Sequence, residues 1–169
     1  MLEKIDKGHT KADVIEALGI LDAAGITMRP SLLPFTPWTT LDDYLELLTF
    51  FEEYELVSNV DPVHFSIRLL VPPGSALLDQ PDSVEWVGEL DAAAFTYTWK
   101  NPDPRVDDLQ REIAAIVEAA ESASCEPEET FAQIKAASWA MAGKTPPAIE
   151  RKRTRPPGQP PRLTESWFC

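Results

Sequence analysis

The sequence predicts an α/β fold: helix and strand segments alternate over residues 1–78, and both strand segments are apolar enough to need cover on each face. A different pattern follows, mainly helical over residues 79–144 and rich in proline and basic residues over 145–169. The alternating part implies parallel strands joined by crossover helices.

The first helix starts at Thr10, a natural N-cap, with Asp13 three residues on beside the unpaired amides. Val14, Ala17, Leu18, Leu21 and Ala24 share one face, and Gly25 is the expected left-handed stop. Ile26 to Phe35 reads as the first strand, although Pro30 and Pro34 force irregular hydrogen bonding somewhere within it. Thr36 to Thr40 is a turn ending on a second N-cap. Asp42 and Asp43 then complement the dipole of a helix whose apolar face carries Leu41, Tyr44, Leu45, Leu48 and Phe51 and which runs to about residue 56. Val63 to Val71 reads as the second strand, stopped by Pro72-Pro73-Gly74.

Residues 81–104 read as irregular, with a short strand at Ala94 to Trp99. Helices over Val106 to Ala123 and Pro127 to Ala142 form a hairpin, with Gly143 as the final stop. The pairs Pro146-Pro147 and Pro156-Pro157 exclude regular structure in the tail.

Composition narrows the function classes. The chain has 169 residues, of which 44% are hydrophobic and 25% charged, so it can build one core of ordinary size. No run of about 18 apolar residues is present, and the start of the chain has no apolar signal segment, so the cytoplasm is the expected compartment. Two cysteines, Cys125 and Cys169, are too few for a disulfide framework or a four-thiolate metal site. The net charge of −13 divides unevenly: residues 1–150 hold 10 basic and 27 acidic side chains, while 151–169 hold 5 and 1. An acidic body repels nucleic acid. The basic run from Arg151 to Arg155 lacks stacking aromatics, so docking on the acidic body or simple solvation fits it better than RNA binding.

Three stretches together resemble the radical S-adenosylmethionine (SAM) enzymes. Lys7-Gly8-His9-Thr10 through Gly25-Ile26 looks like the loop and helix before the fifth barrel strand. Pro34-Phe35-Thr36-Pro37-Trp38-Thr39-Thr40 sits where the family has a glycine-rich turn after that strand. Ile67-Arg68-Leu69-Leu70-Val71-Pro72-Pro73 resembles the sixth strand and its exit. The resemblance covers about residues 1–78 and implies the last helix–strand units of a partial (βα)6 barrel. Thr36, Pro37 and Arg68 would then wall the SAM pocket. The stretch from Tyr97 to Pro104, with the final Glu165-Ser166-Trp167-Phe168-Cys169, resembles a subgroup whose tails read Cys-Cys-Ala-Glu-Pro or Cys-selenocysteine-Ala-Glu-Pro. Because selenocysteine is encoded by UGA, ordinary reading would stop such a chain at its first tail cysteine, here Cys169. Met1 is then expected to be an internal methionine or a start that follows a frame interruption.

The resemblance implies a [4Fe–4S] cluster, SAM and, as in some relatives, cobalamin for the full-length enzyme, acting on an unidentified small molecule. It also implies that the missing front of the barrel, on the same chain or a separate subunit, is this chain's partner. Two departures matter. The Cys-x-x-x-Cys-x-x-Cys cluster motif is absent, so no cofactor is expected on this chain alone, and alone it should be inactive. Phe35 and Trp38 replace the usual glycines of the turn.

Each candidate residue has a simpler reading. Pro37 and its neighbours equally suit an ordinary strand-to-helix turn. Arg68 could hold a carboxylate or phosphate inside a barrel, or pair with one of the many acidic residues. His9 and His64 have no second ligand at metal spacing and read as structural. Cys125, in an acidic helix-to-helix turn, is not expected to be reactive. Cys169 is the candidate redox group of the tail. The rival to the enzyme reading is a small, complete, non-catalytic interaction protein; a third reading makes the chain a subunit of a split radical SAM enzyme.

Overall fold

The computed structural model describes residues 7–153. Five α-helices and a two-stranded antiparallel sheet are present among them: α1 Lys11–Ala24, α2 Leu41–Glu53, α3 Ser83–Trp86, β1 Val87–Asp91, β2 Thr96–Trp99, α4 Pro104–Ser122 and α5 Pro127–Ala142.

The two predicted N-caps form as full capping boxes. The Thr40 hydroxyl accepts from the Asp43 amide at 3.1 Å, and the Asp43 carboxylate accepts from the Thr40 amide at 2.9 Å; Thr10 and Asp13 repeat the arrangement on α1. At the other end, α1, α2, α4 and α5 each close with a residue in the left-handed region: Gly25 (φ 69°), Glu55 (φ 51°), Ser124 (φ 52°) and Gly143 (φ 63°). In each, the following amide reaches back five residues, as Leu56 N–H does to the Phe51 carbonyl at 2.8 Å.

Helix α2 is the hub of the core. Leu41, Tyr44, Leu45, Leu48, Phe50 and Phe51 are all buried. Tyr44 stacks on Phe35 at 4.8 Å, Phe51 meets Phe65 edge-on at 5.5 Å, and Phe65 meets Phe131 of α5 at 5.3 Å. These rings join both halves of the chain, so one apolar cluster runs from Leu18 of α1 to Trp139 of α5. Burying side chains of this size contributes about 1.5–3 kcal/mol each. The Tyr44 hydroxyl donates to the Phe65 carbonyl at 2.8 Å; burial holds it neutral by raising its pKa far above the usual range.

The strands are shorter than the sequence suggests. Residues 26–34 adopt no regular ladder, and one parallel bridge joins Phe35 to Arg68. Phe35 donates to Ile67 O at 3.2 Å, and Leu69 donates to Phe35 O at 2.8 Å. Pro30 and Pro34 lack the amides that would extend this pairing. Residues 63–65, expected at the start of the second strand, instead belong to a 3-10 turn over 62–65 opened by Pro62. The β1–β2 hairpin joins the other edge of the second strand segment, where Tyr97 N–H donates to Val71 O at 2.8 Å.

Strand β1 was not expected from sequence. It carries a bulge between Val87 and Leu90. Gly88 is needed there, because a Cβ would lie 2.6 Å from Thr98 Oγ1 and 3.0 Å from its carbonyl oxygen. In the tail, residues 144–153 lie against the body, and residues 154–169 fall outside the described residues.

The exposed Ser124 adopts a conformation that disfavours a Cβ. Ser124→Gly should therefore stabilise the protein by about 0.5–1 kcal/mol, after allowing for the greater freedom of glycine in the unfolded chain. Urea unfolding checks this through a higher midpoint at unchanged slope.

Candidate functional site

The parallel bridge places Thr36 and Pro37 at the carboxyl end of the first strand segment, and Trp38, Thr39 and Thr40 lead into α2. Thr36 and Thr39 are almost wholly buried, and so is Pro37. Their polar groups are satisfied within the turn. Thr39 Oγ1 donates to Pro34 O at 2.9 Å and so has no further proton to give. It therefore accepts from Thr36 N–H at 3.1 Å and from Thr36 Oγ1 at 2.9 Å.

Asn101 closes the turn from outside. Its buried Nδ2 lies 2.8 Å from Thr39 O, 3.2 Å from Thr36 O and 3.4 Å from Pro37 O. Its two amide protons thus serve three carbonyls, the longer contacts sharing one proton. Asn101 Oδ1 accepts from Asp103 N–H at 2.9 Å, and its own N–H donates to Asp107 Oδ2 at 3.0 Å. Asp107 lies in the first turn of α4, where the helix dipole favours its charge.

Arg68 completes the cluster. Its guanidinium donates to Asp107 Oδ1 and to Trp99 O, each at 2.6 Å, and lies 3.5 Å from the centre of the Trp99 ring. The Trp99 indole N–H donates to Leu69 O at 2.8 Å. Of the two readings of Arg68, the structure provides the acidic partner, with Asp107 16% and Arg68 29% exposed at the side chain. Beside the turn, Trp38 meets Trp86 edge-on at 5.2 Å, which forms an aromatic wall.

Thr36, Pro37 and Arg68 are thus brought to one cluster, with Asn101, Asp107 and Trp99 as the members that sequence reading did not single out. A signal for Asn101 was available: it stands between a strand ending in tryptophan and the Pro-Asp-Pro start of a helix, a place where a side chain must satisfy backbone groups that neither element can. The cluster's hydrogen bonds hold backbone in place. It presents neither a nucleophile nor a proton carrier.

The other candidates lie apart. His9 is exposed, with Nδ1 2.9 Å from Lys7 O. His64 sits in the 3-10 turn over 62–65; burial lowers its pKa, Asp61 opposes that and Arg29 adds to it. Cys125 is half-buried between α4 and α5. Cys169 lies outside the described residues. Among the described residues, no group of three or more His, Cys, Asp or Glu side chains is placed to hold a metal ion, and no helix is long and apolar enough to cross a membrane.

Asn101→Ala should cost about 2–4 kcal/mol, because buried carbonyls of the turn lose their donor. Urea unfolding measures this, and an unchanged midpoint would refute the clamp. His64 supplies a pH dependence. Its imidazole resists protonation in the fold, so its contribution is intact above about pH 6.5 and is lost as pH falls below that value towards its lowered folded pKa. Thermal midpoints should fall over this acid range, and the fall should be shallower in His64→Gln.

Comparison with protein-family models, with curated proteins and with solved structures finds no match.

Proposed function

We propose that this chain is the C-terminal portion of a radical SAM enzyme, which supplies the last strand–helix units of its barrel. The observation that carries the reading is the parallel bridge of Phe35 with Arg68 across the crossover helix α2. In α/β sheets built this way, ligands bind beyond the carboxyl ends of the strands. Thr36 and Pro37 stand at that end, where the resemblance expects a wall of the SAM pocket. On this reading Arg68 acts through Asp107 and Asn101, which hold the wall still.

The residues present do not fit a [4Fe–4S] cluster. The described residues carry one cysteine, Cys125, and the whole sequence carries two. Cluster, reductive SAM cleavage and any cobalamin would belong to the front of the barrel, on the same chain or on a separate subunit. Cys169 would begin a redox tail, and the assembled enzyme would be cytoplasmic.

A second reading is favoured by a specific observation. The apolar core is continuous from α1 to α5 and takes in the helical hairpin, as a self-standing interaction protein requires. The two readings separate in solution. A monodisperse monomer that unfolds in a single transition without a partner supports the interaction protein.

The deciding experiment reads the DNA flanking the reading frame and then expresses what it encodes. In-frame codons for Cys-x-x-x-Cys-x-x-Cys upstream, with TGA then Ala-Glu-Pro codons downstream, are expected. The longer product should form 5′-deoxyadenosine from SAM under reducing, anaerobic conditions, while this chain alone forms none. A start codon with no cluster motif before it, an ordinary stop after Cys169 and no neighbouring cluster-bearing gene would remove the radical SAM reading.

A further inference from the structure

Helix α2 ends on Glu52 and Glu53 with no basic residue in its last turn, Glu55 follows just beyond it, and α1 carries Asp22 in its own last turn. Carboxylates at helix C-termini face the negative ends of the dipoles, so this rim is poor in stability until cations reach it. Lys135 of α5 serves Glu52 at 2.7 Å. The remaining cations at this rim are Arg151, Lys152 and Arg153 of the segment 144–153, whose Lys144 instead meets Asp42 in the first turn of α2.

That segment has no helix or strand, and Pro146-Pro147 keeps it from forming one. It is fastened by charge. Lys144 pairs with Asp42, Arg151 with Glu55 at 3.0 Å, Lys152 with Glu53 at 2.7 Å, and Arg153 with Asp22. Arg153 is the anchor: its side chain is 5% exposed and also points an N–H at Tyr54 O, whereas Arg151 is 77% exposed. The Lys152 amide donates to Glu53 O at 2.8 Å, so the segment also satisfies a terminal carbonyl of α2.

We propose that residues 144–153 form an ionic latch on the acidic ends of α1 and α2, and that its release uncovers a rim of Asp22, Glu53 and Glu55 suited to an extended basic peptide segment. Salt screens the outer pairs of Arg151 and Lys152 most and the buried Arg153–Asp22 pair less, so the latch loosens with salt and opens at a lower free energy than the core. A competing segment needs the same features: alternating lysine or arginine on an extended backbone with a free amide for Glu53 O. This proposal is independent of the radical SAM reading.

The test is amide hydrogen exchange on the full chain, read at Lys152 and, for the core, at Leu48. Raising sodium chloride from about 0.02 M to about 0.5 M should lower Lys152 protection roughly tenfold and leave Leu48 protected. Asp22→Asn should lower Lys152 protection at low salt, while Glu118→Gln, which removes one charge from an exposed part of α4, should leave it unchanged. Hexa-arginine at low salt should speed Lys152 exchange, and hexa-glutamate should not. Protection at Lys152 that ignores both salt and Asp22→Asn, or that is lost only together with Leu48, would overturn the latch. Equal effects of the two peptides would overturn the rim as a basic-peptide site.

Discussion

Asn101 holds together three parts of the chain that are far apart in sequence. Its amide spans the carbonyls of the 36–39 turn, its backbone N–H reaches Asp107 at the start of α4, and it stands two residues after Trp99, the last residue of β2. Remove its side chain and the turn loses its outer donor, while Asp107 keeps both the Asn101 backbone N–H and the Arg68 guanidinium. The direction in which α2 leaves the Phe35–Arg68 bridge depends on that turn, and α2 is the helix on which α5 packs and around which the aromatic core is built. A single buried carboxamide thus sets the relation between the parallel pair and the helical hairpin. Buried carbonyls without a donor are costly, so alternative arrangements of the turn are disfavoured as a group.

Charge acts on the opposite side of α2. The helix carries acids at both ends: Asp42 and Asp43 sit well in its first turn, and Glu52 and Glu53 sit badly in its last. The left-handed Glu55 that terminates it adds a conformational cost, which Gly would avoid but which would then lose the carboxylate that meets Arg151. The acidic body and the basic run are parts of one arrangement. Of the two alternatives open for that run, docking accounts for Arg151, Lys152 and Arg153.

Legibility in the sequence followed how local each determinant is. Thr10 with Asp13, Thr40 with Asp43, Gly25 and Gly143 are decided by neighbours within one turn, and those helix ends were readable. The end of α4 was readable to within a residue although the non-glycine Ser124 occupies the left-handed position, whereas α2 stops at Glu53, earlier than its apolar pattern suggested, with Glu55 in the left-handed position. The strands were readable as apolar runs but not in extent. Pro30 and Pro34 limit the first to a single bridge, and Pro62 turns the start of the second into a 3-10 turn. Strand β1 is mostly exposed, so it carries no apolar alternation, and its register depends on Gly88 passing close to Thr98. For the site, Thr36, Pro37 and Arg68 were marked by resemblance. The partner of Thr36 and Pro37, Asn101, comes from about 65 residues away along the chain, and Arg68 meets Asp107 across 39, separations that periodicity cannot bridge.

What the clamped turn does for function follows from its rigidity. A pocket wall helps a ligand most when its dipoles need not reorganise on binding, and the turn at 36–39 meets that condition through its own threonines and Asn101. The same rigidity has a chemical limit. The Thr36, Pro37 and Thr39 carbonyls face Asn101, and the Arg68 guanidinium is engaged by Asp107 and Trp99, so none of these groups is free to act on a substrate in this arrangement. Beside this cluster the rings of Trp38 and Trp86 offer apolar surface, and the Trp86 indole N–H is a buried donor without a hydrogen-bond partner among the described residues. If the turn walls a pocket, as the radical SAM reading proposes, the chemistry must be supplied by another part of the protein. That is the role the radical SAM reading gives it, and the reason that reading stands or falls on finding the part that carries the cluster.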